Sequence, residues 1–418
     1  MRYRAALGAL VLGTVLVAAG CSSGSAPVTQ AGSTTAGGSR TGTGTGTTPA
    51  AGGHASTSRT PGSTGSPGGS PSSGSGSVTP PAPTGTGGTP SAPGGPGAVP
   101  LKPGEQPPQF IVLSFDGAAW HELMTHWLDT AEQVHGQVTF FLSGIYLVPK
   151  DRAATLYHPP GHAAGASDIG FSTVPKIRTE IEDLRQAYDA GNEIGTHFNG
   201  HFCGSTGIDR WTADDWTSEL NQFKGFLDGW QANTGITDVA ALPFTSVEVR
   251  GARTPCLEGR VTPLSTAEQQ AGFRYDASRT GQLRWPAKSG GLWEFPLPSI
   301  RLAGTGRSVL AMDYNFYYSQ SHASPAPVTD RPAMQQQVLD SYRQAFQAVY
   351  QGNRAPLILG NHFNQWNGGI YTDALTDFYR EACTRPQVRC VSMIELADWL
   401  DAQDPAALAR LQALPPAQ

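Results

Sequence analysis

The first hundred residues contain no aspartate or glutamate, and positions 22 to 100 contain no aromatic residue. Arg40 and Arg59 are the only charges in that second stretch, which is otherwise mostly Gly, Ser, Thr, Pro and Ala. A chain so poor in apolar area cannot offset its own conformational entropy, so it is expected to be a disordered tether. As a flexible coil it would span about 50 Å. All 33 acidic residues lie beyond it, against 24 Lys and Arg once Arg2, Arg4, Arg40 and Arg59 are taken from the total of 28, a net of -9. That sign argues against a nucleic-acid partner. The chain has no internal repeat and no second long apolar run after Ala5 to Val17.

That first run, behind Arg2 and Arg4 and ahead of Ala18-Ala19-Gly20-Cys21, reads as an export signal spanning 1–20. Small residues leading into a cysteine resemble the lipobox of bacterial lipoproteins. A lipid on Cys21 would anchor the protein to the extracytoplasmic face of a cell membrane. Plain secretion is the alternative. The tether then covers 21–105, a globular domain 106–402 and a C-terminal tail 403–418.

Within the domain, apolar β-rich runs alternate with amphipathic segments, which predicts parallel strands joined by crossover helices. Strands are expected at 110–115, 138–142, just before His197, and at 247–252, 274–277, 292–295, 309–314, 356–359 and 389–392. A helix after the first strand would bury Trp120, Leu123, Met124, Trp127, Leu128, Ala131 and Val134. Another, introduced by a capping arrangement at Thr212 to Asp215, would bury Trp216, Leu220, Phe223, Leu227 and Trp230. His121, His126, His158 and His162 are read as solvated residues and not as ligands.

His197 and His201 stand four residues apart straight after a short strand, and two such imidazoles can share one metal ion. Asp116, the histidine pair, Arg253 and His362 all fall at expected strand ends. In a barrel of parallel strands those ends share one mouth, so residues distant in sequence can converge there.

Leu113-Ser-Phe-Asp116, Thr139-Phe-Phe-Leu-Ser143, Gly191-Asn-Glu-Ile-Gly-Thr-His197 to His201, Arg253-Thr-Pro255, Phe273-Arg-Tyr-Asp276, Trp293-Glu-Phe-Pro296 and His362 appear in that order. Together they resemble the polysaccharide deacetylases of carbohydrate esterase family 4, the NodB homology domain, over about 108 to 402. The closing part is similar to the chitin-deacetylase-like branch. The resemblance implies an α/β fold, a distorted (β/α)7 barrel, that removes N-acetyl groups from an amino-sugar polymer with a divalent metal, Zn being the expected ion. It implies Asp116 as base, Arg253 as the cation that keeps Asp116 ionised, His362 as acid, and a metal on His197, His201 and, in one arrangement, Asp116. The acetylated polysaccharide, chitin- or peptidoglycan-like, would be met by a monomer.

One departure bears on activity. The family carries two successive aspartates where this chain has Asp116-Gly117, so the alternative is a weakened or inactive relative that binds glycans. Restoring a carboxylate by Gly117→Asp is expected to tighten metal binding, provided Gly117 does not hold a positive φ. Four cysteines besides Cys21 allow three pairings. Because Cys203 and Cys256 should both lie at the mouth while Cys383 and Cys390 flank a short turn, the expected bonds are Cys203–Cys256 and Cys383–Cys390.

Overall fold

Every residue of β1 (Gln109–Asp116) is buried, as befits a strand covered on both faces. The computed structural model describes residues 97–418; the segment read as an export signal, Cys21 and the segment up to 96 read as a tether lie outside the described residues. The other strands are β2 (Thr139–Leu142), β3 (Glu193–Thr196), β4 (Gly251–Ala252), β5 (Tyr275–Asp276), β6 (Thr280–Gly281), β7 (Lys288–Ser289), β8 (Leu292–Glu294), β9 (Leu297–Arg301), β10 (Ser308–Leu310), β11 (Leu357–His362) and β12 (Val388–Val391).

One edge of β1 pairs with β11, while its other edge is shared end to end by β12 and β2. The main sheet runs β11-β1-β2-β3-β4-β5-β8-β7, parallel throughout except between β7 and β8. Main-chain bonds carry the curl onward: Phe295 N–H to Asp276 O (2.9 Å), Ala311 N–H to Pro298 O (2.9 Å) and Gly360 N–H to Ala311 O (3.0 Å). The result is a curled, mostly parallel α/β sheet interrupted by antiparallel β9–β10, less regular than the expected seven-stranded parallel barrel. No described helix is long and apolar enough to cross a membrane.

Helix His121–Gln133 buries Leu123, Met124, Trp127, Thr130 and Ala131 against the sheet. Trp120 is not part of that face: it precedes the helix and is 40% exposed. In Ala213–Asp228 the capping box is present, with Thr212 Oγ1 accepting from Asp215 N–H and the Asp215 carboxylate accepting from Thr212 N–H. All five residues of its expected apolar face are buried, although Trp230 opens a further short helix.

Two expected strands are cut short. Only Gly251–Ala252 pairs in the 247–252 run, because Glu248 folds back to accept from Thr245 N–H (2.9 Å) and Oγ1 (2.6 Å), a local turn that competes with a ladder. The 309–314 run stops at Leu310, and Asp313 instead opens the helix Asp313–Ser321. The segment read as a tail also folds. Asp404 caps the helix Pro405–Gln412, and Ala417 N–H reaches Leu283 O at 2.9 Å. Of the histidines read as solvated, His121 bonds Asp183 (2.7 Å), half-buried His126 bonds Thr376 (2.8 Å), and His162 stacks on Phe202 at 3.8 Å.

Candidate active site

Strand register assembles the site. β1 and β11 are parallel with Asp116 opposite His362, so both side chains leave the same face at the strands' carboxyl ends. Thr196 of β3 pairs with Ala252 of β4, which sets the next residues, His197 and Arg253, side by side. The two are joined directly: His197 Nδ1 lies 2.8 Å from the Arg253 carbonyl oxygen. A carbonyl only accepts, so Nδ1 carries the proton and Nε2 keeps its lone pair.

Arg253 is completely buried. Its Nη1 donates to Asp116 Oδ1 at 2.9 Å and to Ser114 Oγ at 2.8 Å, and its Nε donates to Ala277 O at 3.2 Å. Burial, the largest single influence, works to raise the Asp116 pKa, but Arg253, through its charge and hydrogen bond, together with His197 and His362 outweighs it and holds the group below 3.8. Asp116 is therefore ionised at neutral pH. Burial pushes His197 down to about 3 and lowers His201 as well, with His362 adding to the effect on His201. Both imidazoles are neutral, the form that binds metals.

His362 is the opposite case. Burial pulls its pKa down, yet Asp313 overcomes this and raises it above 6.5. Asp313 Oδ1 lies 2.7 Å from His362 Nδ1, and Oδ2 accepts the His362 N–H at 2.9 Å. The carboxylate thus fixes the ring and favours its cation. Asp313 was not among the residues singled out in the sequence. Reading 309–314 as one strand concealed it, although an acidic residue at the end of a β-rich run was the available signal. Ser114 was quoted only as part of a motif.

The expected disulfides are both present, Cys203–Cys256 with Cα atoms 6.1 Å apart and Cys383–Cys390 at 5.8 Å. The first staples the loop of His201 to the loop of Arg253. His197 and His201 have ring centroids 5.3 Å apart. Among the described residues, three ligand-capable atoms come within 4.8 Å of one another only at His201, Cys203 and Cys256, where both sulfurs are already bonded. Asp116, His197 and His201 share the mouth without reaching that spacing, and Asp116 Oδ1 is committed to Arg253. The chain's donors fit a divalent ion to the extent of two neutral imidazoles, one fewer than catalytic zinc usually has.

The side chains define a class of site: a buried, ionised carboxylate opposite an imidazole whose cation a second carboxylate favours, with two neutral imidazoles beside them. No family model and no curated protein matches the chain. Solved structures do. A protein from Mycobacterium smegmatis attributed to the polysaccharide deacetylases is similar at 18% identity, over 77% of this chain and 98% of that one, with TM-score 0.46. The peptidoglycan deacetylase PdaC from Bacillus subtilis is similar at 12% identity, over 72% and 94%, with TM-score 0.35. A carbohydrate esterase family 4 pseudoenzyme from Bacillus anthracis is similar at 12% identity, over 70% and 66%, with TM-score 0.37.

Proposed function

We propose that this chain is a deacetylase-like hydrolase that removes N-acetyl groups from a chitin- or peptidoglycan-like polymer at the cell surface, where a lipid on Cys21 would hold it. The observation that carries the reading is the pair at neighbouring strand ends, Asp116 kept ionised by Arg253 and His362 braced by Asp313, which raises its pKa and favours its cation. Hydrolysis of an amide needs both at once. Asp116 accepts the proton of the attacking water. His362, whose Nδ1 is held by Asp313, gives its Nε2 proton to the departing amine. Arg253 takes no part in bond breaking; it fixes the charge and direction of Asp116.

His197 and His201 would hold a divalent ion, Zn²⁺ being the expected one, which when bound polarises the acyl carbonyl and acidifies water. The departure at Gly117 favours a second reading, a weakened or inactive relative that retains glycan binding.

The test is acetate release from acetylated glycans by the full chain across pH, with and without added Zn²⁺, for the wild type and Asp313→Asn. Activity should fall as pH rises through the elevated pKa of His362. Losing the Asp313 charge should move that alkaline limb to lower pH. Acetate release whose alkaline limb is the same in Asp313→Asn contradicts the assignment of His362 as acid. Glycan binding with no acetate under either condition supports the second reading.

A further inference from the structure

Gly117 is where the chain parts from the motif it resembles, and two hydroxyls face the space a side chain would occupy there. A Cβ built on Gly117 would stand 3.6 Å from the Tyr146 hydroxyl and 4.0 Å from Ser143 Oγ. Gly117 itself is fixed, with φ +71° and its N–H donating to Phe141 O at 3.0 Å. Ser143 follows the last residue of β2, and Tyr146 lies in the short 3-10 turn Gly144–Leu147. Ser143 Oγ is buried with no hydrogen-bond partner among the described residues. The Tyr146 hydroxyl, on a half-buried side chain, has none there either. Buried polar groups are almost always paired, so the unpaired Ser143 hydroxyl, with that of Tyr146, at the residue that follows Asp116 calls for a ligand.

We infer that Tyr146, with Ser143 behind it, is a substrate-binding residue whose hydroxyl donates to the oxygen of the acetyl group, in the notch that Gly117 leaves open. This rests on the deacetylase-like reading of the site. Two observations direct the choice of ligand. The notch adjoins Asp116, the group placed to take the proton of the attacking water, so what fills it lies beside the acyl carbon. Burial, and then Glu180, push the Tyr146 phenol up to about 12, so it remains a neutral donor.

The experiment measures binding of a fully N-acetylated chito-oligosaccharide and of its deacetylated counterpart to the full chain, by calorimetry with a chelator present to slow turnover. Tyr146→Phe removes one oxygen and keeps the ring. It should weaken the acetylated oligomer about fivefold, the size of one neutral hydrogen bond, and leave the deacetylated one unchanged. Ser143→Ala should act in the same direction with a smaller effect, and melting curves of both variants check the fold. Unchanged affinity for the acetylated oligomer in both variants overturns the assignment. Equal loss for both oligomers also overturns it, because the hydroxyl would then be reading the sugar and not the acetyl group. A wild type that binds neither oligomer removes the glycan reading as well, whereas wild-type binding untouched by the substitutions removes only the role given to Tyr146.

Discussion

At Gly117 the backbone decides what the sequence left conditional. A φ of +71° is the left-handed region, where a Cβ clashes with the following carbonyl. The proviso attached to Gly117→Asp is therefore not met. The variant is expected to lose roughly 1 kcal/mol of stability and to melt below the wild type, aspartate being among the better-tolerated residues there. Its carboxylate would also point into the notch beside Tyr146, so equal or higher melting temperature would show that the turn relaxes. Asp116 and Arg253 were legible as chemistry because each ends a β-rich run. Asp313 was not, since its role comes from a partner 49 positions away, His362. No local pattern encodes that pairing.

Elements defined by neighbouring residues were the most readable. The capping box at Thr212 and the apolar stripe of its helix are local patterns of spacing, and the structure reproduces them. Two-residue strands such as β4 and β5 exist because longer neighbours hold them, so their lengths could not be read from propensity. Glu193, the first residue of β3, shows how one buried group ties such elements together. Its carboxylate accepts from Tyr275 Oη at 2.7 Å, Thr139 Oγ1 at 2.8 Å and Ile394 N–H at 2.9 Å, joining β5, β2 and the helix Met393–Asp401 to β3. Burial lifts its pKa from 4.5 to about 7 despite those bonds. The folded state thus holds this proton more tightly than the unfolded chain. The contribution is complete below pH 4.5 and is lost as pH rises through about 7, for a total of about 3 kcal/mol. Glu193→Gln should flatten the fall in melting temperature over that window, and a wild-type profile that rises there would refute the assignment.

Over the whole molecule, covalent closure is unequal. Cys203–Cys256 spans a sequence separation of 53 and Cys383–Cys390 one of 7. On loop entropy alone, the first contributes about 4 kcal/mol and the second about 2. Replacing the first pair by alanine should therefore lower the denaturation midpoint more than replacing the second. The reverse order in urea titrations would mean that strain or residual structure outweighs loop length. The sequence by itself determined the class of fold, the apolar helix faces, both cysteine pairings and the residues that line the mouth. Each of these depends on periodicity, on turns or on which run a residue terminates, all of which are local. Only the tertiary structure decided that Asp116 lies opposite His362, that Asp313 holds the His362 ring, that Gly117 sits at positive φ and that Asp116 Oδ1 bonds Arg253. Those facts follow from strand register and from contacts between distant segments, where a shift of a single residue turns every side chain of a strand to its other face.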